Sequence, residues 1–483
     1  MARFWDVELT RIWRVFITPR QTPWRSQISK IMGTRHDIRI STNRMRNAST
    51  RATSEPSHLT IRTHLSDPAH AYLMENPERQ RQSPIPELVV GVKNLAAASV
   101  CKDHADAVYF SLDRFSLRAR AQDIKIDDLC AFVESVKGYE LRAYMAVNTV
   151  IYPEDLPAVG DVLDAASSAG VDAVIAWDPA VICAALDRGL RVHISTQANV
   201  SNGRAAEFYE TLGASRVILS RELSIHQIRE IREQTGMELE VFVHGAMCQA
   251  VSGRCYLSAY LLGRSANCGD CAQPCRWQWT LTDDQGAEVE LGGRYLLSAK
   301  DLCMIEHLPE LVGTGVCAFK VEGRLRNAGY TAAVSECYRE ALDACRDGSY
   351  TTEQAQEWKR RLELAYNRGF STGFYFGVPG PEGLGYESDM NASPVQRQAV
   401  GVVLNYYPKR CAAAVRLLEQ GLTLGDRIII EGSTTYLEQE VESLVMAGKP
   451  IRVAESGQEV GLGVRDRVRE NDRVFKVGRM PTP

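Results

Sequence analysis

Val241–Trp279 reads VFVHGAMCQAVSGRCYLSAYLLGRSANCGDCAQPCRWQW. It opens as a short apolar strand ending at His244. It then drops all periodicity for a run that holds Cys248, Cys255, Cys268, Cys271 and Cys275. A sixth cysteine, Cys303, follows in SAKDLCMIEHL. Thiolates crowded in this way bind a soft metal or an iron–sulfur cluster far more often than anything else in an intracellular enzyme. The next apolar strand starts at Val316, so about seventy residues separate the two strands where one helix would suffice. A loop of that length has its own task.

The chain before this stretch repeats one pattern: an apolar run, a turn, an amphipathic helix. The expected strands are Leu88–Val92, Ala107–Ser111, Leu141–Val147, Ala173–Trp177, Arg191–Ser195, Arg216–Ser220, Leu239–His244 and Val316–Val321. Helices are expected over Glu154–Ala169, Asn202–Leu212 and Ile225–Thr235, with Asn202 and Ser224 as N-caps and Gly170 and Gly213 near the C-termini. Eight such strands predict a TIM-like (β/α)8 barrel with a Cys-rich insertion after the seventh strand; an open doubly wound sheet is the alternative. In a barrel the strand C-termini share one face, and that face carries the chemistry. Polar residues follow six of the strands: Asn148, Asp178, Gln197 with Asn199, Arg221 with Glu222, His244, and Glu322 with Arg324.

The expected organisation is a basic tail over residues 1–84, a barrel domain over 85–350 with its insertion at 246–315, a connector over 351–395, and a small β-barrel domain over 396–483. The tail carries eleven Arg and Lys against four Asp and Glu up to Glu55, and reads as disordered, as the product of a misassigned upstream start, or as a targeting segment. The insertion should also contain a hairpin, Trp277–Thr282 with Ala287–Leu291, and a helix capped by Ser298 that holds Cys303. The last segment alternates short strands, with Val400–Tyr406, Ala412–Leu418, Arg427–Glu431, Thr435–Val441 and Val474–Val477 the clearest.

Bulk properties exclude little. The 483 residues are 45% hydrophobic and 24% charged, as in ordinary globular proteins, and the net charge of −4 supplies no general attraction for nucleic acid. No apolar run reaches the roughly 18 residues that span a bilayer, so no membrane segment is expected. Thirteen cysteines argue for ligands and core thiols in a reducing, cytoplasmic compartment. The spacing Cys248-x6-Cys255-x15-Cys271-x3-Cys275 lacks the two separate knuckles of a zinc ribbon. It leaves iron–sulfur, zinc and buried thiols as alternatives.

The run VFVHGAMCQAVSGRCYLS, with GDCAQPCRW, SAKDLC, FKVEGR and NRGFSTGFYFG in the same order, resembles the signature of the collagenase-like peptidase U32 family. Within it the sequence is most similar to the subgroup that hydroxylates carbon 5 of the tRNA wobble uridine without molecular oxygen. The resemblance implies a 4Fe–4S cluster on Cys248, Cys255, Cys271 and Cys303, with Cys275 competing for the third place. It also implies prephenate, or a related carboxylated metabolite, as co-substrate, and the anticodon loop of tRNA as partner. On that reading Arg118 and Arg120 grip a carboxylate, and Gln197 and Asn199 read a uracil edge. Asn148, Arg221 and Glu222 line the pocket, His244 moves a proton, and Glu322 with Arg324 forms a functional pair or a salt bridge. A collagenase-like peptidase and a quinone-precursor hydroxylase subunit are the alternatives. The peptidase reading lacks any HExxH or GxSxG motif.

Overall fold

The computed structural model describes Phe16–Pro19 and residues 85–117, 124–282, 288–289, 295–386 and 391–479. The eight expected strands form, five of them trimmed, the first shifted by one residue and the seventh one residue longer at each end: β1 Glu87–Gly91, β2 Ala107–Ser111, β3 Arg142–Ala146, β4 Ala173–Ala176, β5 Val192–Ile194, β6 Arg216–Ile218, β7 Glu238–Gly245 and β8 Ala318–Val321. They pair in parallel in chain order, and β8 pairs with both β7 and β1, which closes the barrel. The closed ring settles the choice against an open sheet.

Helices α1 Leu95–Val100, α2 Leu129–Gly138, α3 Leu156–Ala169, α4 Pro179–Asp187, α5 Gly203–Thr211, α6 Ile225–Gln234, α7 Leu308–Val312 and α8 Ala328–Asp347 cover the ring. Five of them begin on a side-chain cap. Asn94, Asp178, Asn202, Ser224 and Asn327 each accept a hydrogen bond from a backbone N–H two or three residues on. Such a cap satisfies one of the orphan donors of the first turn and typically contributes ~1 kcal/mol. Asp178, expected among the residues of the catalytic face, is one of these caps. Gly170 ends α3 in the left-handed region, φ 71°, as expected of a C-cap glycine.

The barrel closes tightly at its mouth. A Cβ on Gly323, just past β8, would stand 2.2 Å from the carbonyl oxygen of Gly91 at the end of β1. Only glycine permits that approach, and it fixes the start of the segment carrying Arg324.

Two parts of the insertion differ from expectation. Asp301–Cys303 is a strand, not part of a helix. It pairs antiparallel with the end of β7, Cys303 opposite His244, and parallel with Phe370–Ser371. Ser298 therefore caps nothing and accepts a hydrogen bond from Arg276 Nη1 at 2.9 Å. The hairpin forms as Trp279–Thr282 with Glu288–Val289; its turn lies outside the described residues. Phe16–Pro19, from the segment expected to be disordered, is a strand paired antiparallel with Trp279–Thr282.

The C-terminal segment is an antiparallel sheet of eight strands, Val395–Tyr407 to Arg473–Arg479. Leu437 and Ile451, from its two edge strands, pack on one shared core with Val415, Ile428 and Leu444, so the sheet curls on itself as expected of a small barrel. Sequence reading missed Leu444–Met446, Lys449–Ile451 and Glu459–Gly463, which are short. The sheet meets the (β/α)8 barrel beside its mouth: Ala96 N–H donates to Ser433 O at 3.1 Å, and Ala328 N–H donates to Glu431 Oε1 at 3.2 Å.

Candidate active site at the barrel mouth

Inward-facing residues of a barrel strand alternate with outward ones. In β8 the inward position is Lys320, buried, with its Nζ 2.7 Å from Glu240 Oε1 of β7 and 3.8 Å from the centre of the Tyr109 ring. Glu240 also accepts from Arg216 Nη1 at 3.0 Å, and Arg216 reaches Glu87 at 2.8 Å. This ion network fills the barrel axis. Burial works against the Glu240 carboxylate, but Lys320 and Arg216 hold its pKa down at about 2. Burial likewise lowers the Lys320 pKa, opposed by Glu240.

Above this floor, at the C-terminal ends of the strands, lies a narrow cleft of about 30 Å³, partly open to solvent. Asn148, Gln197, Arg221, Glu322 and Arg324 line it, as the sequence predicts, together with Tyr109, Ser195, Phe242, Cys248 and Lys320. Arg324 is held from several sides. Its Nε and Nη2 bind the Glu322 carboxylate at 3.2 and 2.8 Å, Nη1 donates to Ser111 Oγ at 3.1 Å, and its plane lies 4.8 Å from the Tyr109 ring. Burial opposes its charge, yet Glu322 and Tyr109 raise its pKa on balance. Asn148 Nδ2 donates to Ser195 Oγ at 3.3 Å and to Gln197 Oε1 at 3.4 Å, and Ser195 also donates to Gln197. Gln197 Nε2 donates to Ser252 O of the insertion at 2.8 Å. Amide groups are thus fixed on one wall and an ion pair on another.

A second, larger cavity opens outward from the same wall. Arg221, Cys248 and Ser252 line both; Asn199 and Glu222 line the outer one alone. Asn199, in the left-handed region at φ 54°, accepts a hydrogen bond from Ser220 Oγ at 2.7 Å. Glu222 is exposed. Arg118 and Arg120 lie outside the described residues.

His244 does not face either cavity. It is buried in the layer between β7 and α8, among Tyr330, Tyr338 and Phe370, with Nδ1 3.4 Å from Tyr338 Oη. Burial, with a smaller contribution from Arg326, pushes its pKa down to about 3. It is a neutral core residue, and the expectation that it moves a proton at the site is corrected.

The cysteines divide into two groups. Cys248, Cys255 and Cys271 share one feature: the Sγ of each accepts a backbone N–H from two residues further on, at 3.4, 3.4 and 3.3 Å. Cys275 belongs with them, because its thiol is raised to about 11 by burial, and charges on Cys248, Cys271 and Cys255 would raise it further while Arg276 lowers it. Cys303 sits elsewhere. Its thiol, raised to about 12 by burial, also receives a backbone N–H from two residues on, that of Ile305, but it packs into the barrel core 4.0 Å from Tyr338 Oη. Its strand position turns it toward α8. Cys268 faces Tyr152 Oη at 3.8 Å. Among the described residues no three His, Cys, Asp or Glu side chains are arranged to hold a single metal ion. A multi-atom cluster holds its thiolates further apart than one ion does, and N–H···S bonds are a recognised means of tuning it. Of these four, Cys248 lines the cavity and three have N–H donors, a donor set of the kind that could hold an iron–sulfur cluster.

The insertion is braced around them. Arg276 donates to Met247 O at 2.7 Å, Arg254 donates to Gln197 O at 3.1 Å and stacks 4.9 Å from the Trp177 ring, and Asn267 Oδ1 receives Cys255 N–H at 3.1 Å.

A closed (β/α)8 barrel with a cysteine-bearing excursion after β7 and a curled antiparallel sheet at its end defines the class. Residues 93–384 match the sequence profile of peptidase family U32, and the chain belongs to that family. It is 43% identical to an uncharacterized protease of Methanocaldococcus jannaschii over 80% of this chain and 97% of that protein. It is 37% identical to a collagenase of Porphyromonas gingivalis, over 78% and 93% of the two chains. It is 36% identical to tRNA hydroxylation protein P1 of Bacillus subtilis, over 66% and 78%.

Proposed function

We propose that this protein is an RNA-modifying hydroxylase that adds a 5-hydroxyl to the wobble uridine of tRNA without molecular oxygen, with prephenate or a related carboxylated metabolite as co-substrate. The observation that carries this reading is the placement of Cys248 in the wall of the mouth cavity, with Cys255, Cys271 and Cys275 as its companions. These four would hold a 4Fe–4S cluster, with Cys275 in place of Cys303. When bound, such a cluster supplies one-electron chemistry next to the cavity. The similarity to a tRNA hydroxylation protein supports RNA as the substrate class.

The chain's own residues then have separable tasks. Asn148 and Gln197 present amide donors and acceptors of the kind that match the uracil edge. Their mutual hydrogen bonds, and that of Gln197 to Ser252, hold them in one orientation before substrate arrives. Arg324, fixed by Glu322 and Ser111, keeps a positive charge at the cavity wall. A base reaching these groups must leave its stack, which costs least in a single-stranded anticodon loop. The cavity, not the surface, is therefore the place of reaction.

The peptidase reading finds less support. Cys248 is four residues from His244, but the imidazole is buried on the far side of β7, so the two make no nucleophile–base pair. No helix among the described residues is long and apolar enough to cross a membrane. The test is nucleoside mass spectrometry of tRNA from cells lacking the protein, complemented with the wild type or with Cys248→Ala. The expected result is wobble uridine lacking its 5-hydroxyl in the deletion, restored by the wild type only. An unchanged nucleoside profile refutes the assignment.

A further inference from the structure

Arg221 lies at the junction of the two cavities, and its guanidinium is fixed without being satisfied. Nη1 donates to Ala246 O at 3.0 Å, and its plane stacks 4.5 Å from the Phe242 ring. Nε and Nη2 are shielded from solvent and have no hydrogen-bond partner among the described residues. Leaving buried donors unpaired is costly, and for a charged group the cost is larger. The two nitrogens form the side-on edge of the guanidinium, whose N–H bonds run parallel. Elsewhere in this chain that edge binds a carboxylate. Arg324 uses it on Glu322 at 3.2 and 2.8 Å, and Arg188 uses it on Asp164 at 2.7 and 3.4 Å. The cavity wall adds a reason for an anion. It carries Lys320, Arg221 and Arg324 against Glu322 alone. Lys320 is already paired below by Glu240, and Arg324 by Glu322. The uncompensated cation is Arg221.

We infer that the Nε/Nη2 edge of Arg221 is the anchor for a carboxylate of the small co-substrate, holding it beside Cys248 at the inner end of the outer cavity. This rests on the proposed hydroxylase reading for the identity of the ligand, but not for its chemistry, which follows from the edge. It also places the acid in the outer, roomier cavity, with Arg221 at the junction with the narrow inner cleft. Co-substrate and base then meet at the wall that Cys248 and Ser252 share.

The test uses iron-loaded wild type, Arg221→Gln and Arg221→Lys, each titrated anaerobically with prephenate and, separately, with inorganic phosphate by calorimetry. The wild type should bind prephenate saturably. Arg221→Gln should bind it roughly ten- to a hundredfold more weakly, the loss for hydrogen bonds to a charged group. Arg221→Lys should also be weakened, since an ammonium cannot offer two parallel N–H bonds. Both variants should keep their iron. Wild-type affinity for prephenate in Arg221→Gln overturns the inference, as does a wild type that binds no prephenate. Phosphate competing as strongly as prephenate also overturns it, since that marks a site for the RNA backbone. If iron and tRNA hydroxylation persist in the wild type while Arg221→Gln loses neither affinity nor rate, only this inference fails. If the wild type hydroxylates no tRNA, the broader reading fails.

Discussion

Replacing Glu240 by Gln should damage this protein more than any other isosteric change in the barrel. Glu240 is wholly buried and accepts from Lys320 Nζ at 2.7 Å and Arg216 Nη1 at 3.0 Å. The amide keeps the shape and one acceptor, removes the charge, and turns an NH2 group toward two cations. Two routes give the magnitude. Holding the carboxyl at about 2 instead of its ordinary 4.5 contributes about 3 kcal/mol at neutral pH. Breaking a buried ion pair by removing one partner costs about 3–5 kcal/mol. The routes agree because both count the same interaction. The sign is fixed by the folded carboxyl being the stronger acid: the contribution is complete above pH 4.5 and is lost as pH falls toward 2. Arg216 retains Glu87 and Glu238, each at 2.8 Å, so Lys320 bears most of the loss. Urea unfolding followed by tryptophan fluorescence at pH 7 should show a lower midpoint for Glu240→Gln. Glu240→Leu combined with Lys320→Met should recover much of the difference, because no charge is then left alone. A single variant within about 0.5 kcal/mol of the wild type refutes the reasoning, as does a double variant no better than the single.

Anaerobic purification should give brown wild type with roughly four irons per chain. Cys275→Ala should lose the iron, whereas Cys303→Ala and Cys268→Ala should keep it; iron analysis and the visible spectrum decide. For His244 the folded-state pKa of about 3 lies below the ordinary 6.5, so the unfolded chain takes up the proton first. Stability should fall as pH drops below about 6.5, by at most about 1.4 kcal/mol per pH unit from this residue. His244→Gln should flatten that slope between pH 7 and 5 in urea midpoints, and a slope equal to the wild type's would show that His244 is not the titrating group.

The barrel was legible because its strands are apolar runs of ordinary length separated by capped helices, and Asn202 and Ser224 announce two of the helix starts directly. The mouth was legible in part. Asn148, Gln197, Arg221, Glu322 and Arg324 stand where polar residues after barrel strands should stand. Lys320 and Glu240 were missed because they lie inside strands, where a charged residue reads as an edge or an outward position. Alternation against Phe319 and Val241 was the available signal. The outward turn of Cys303 and His244 was not legible, for one shared reason. The short strand Asp301–Cys303 pairs with β7 outside the parallel ring, and nothing in a three-residue segment announces that pairing. Cys268 and Cys275 differ only in what surrounds them, Tyr152 in one case and fellow cysteines in the other, which is tertiary information.

That short antiparallel pairing also bears on what loss of the proposed cluster would do to the protein. The excursion leaves from the end of β7 and is sewn back to the same residues, Leu302 to Gly245 and Cys303 to His244. Its two ends are thus clamped by backbone hydrogen bonds that owe nothing to sulfur. Stripping the iron should fray the span between the clamps while the ring of strands stays intact, and a scavenging or assembly machinery would meet an open, tethered flap ready to be refilled.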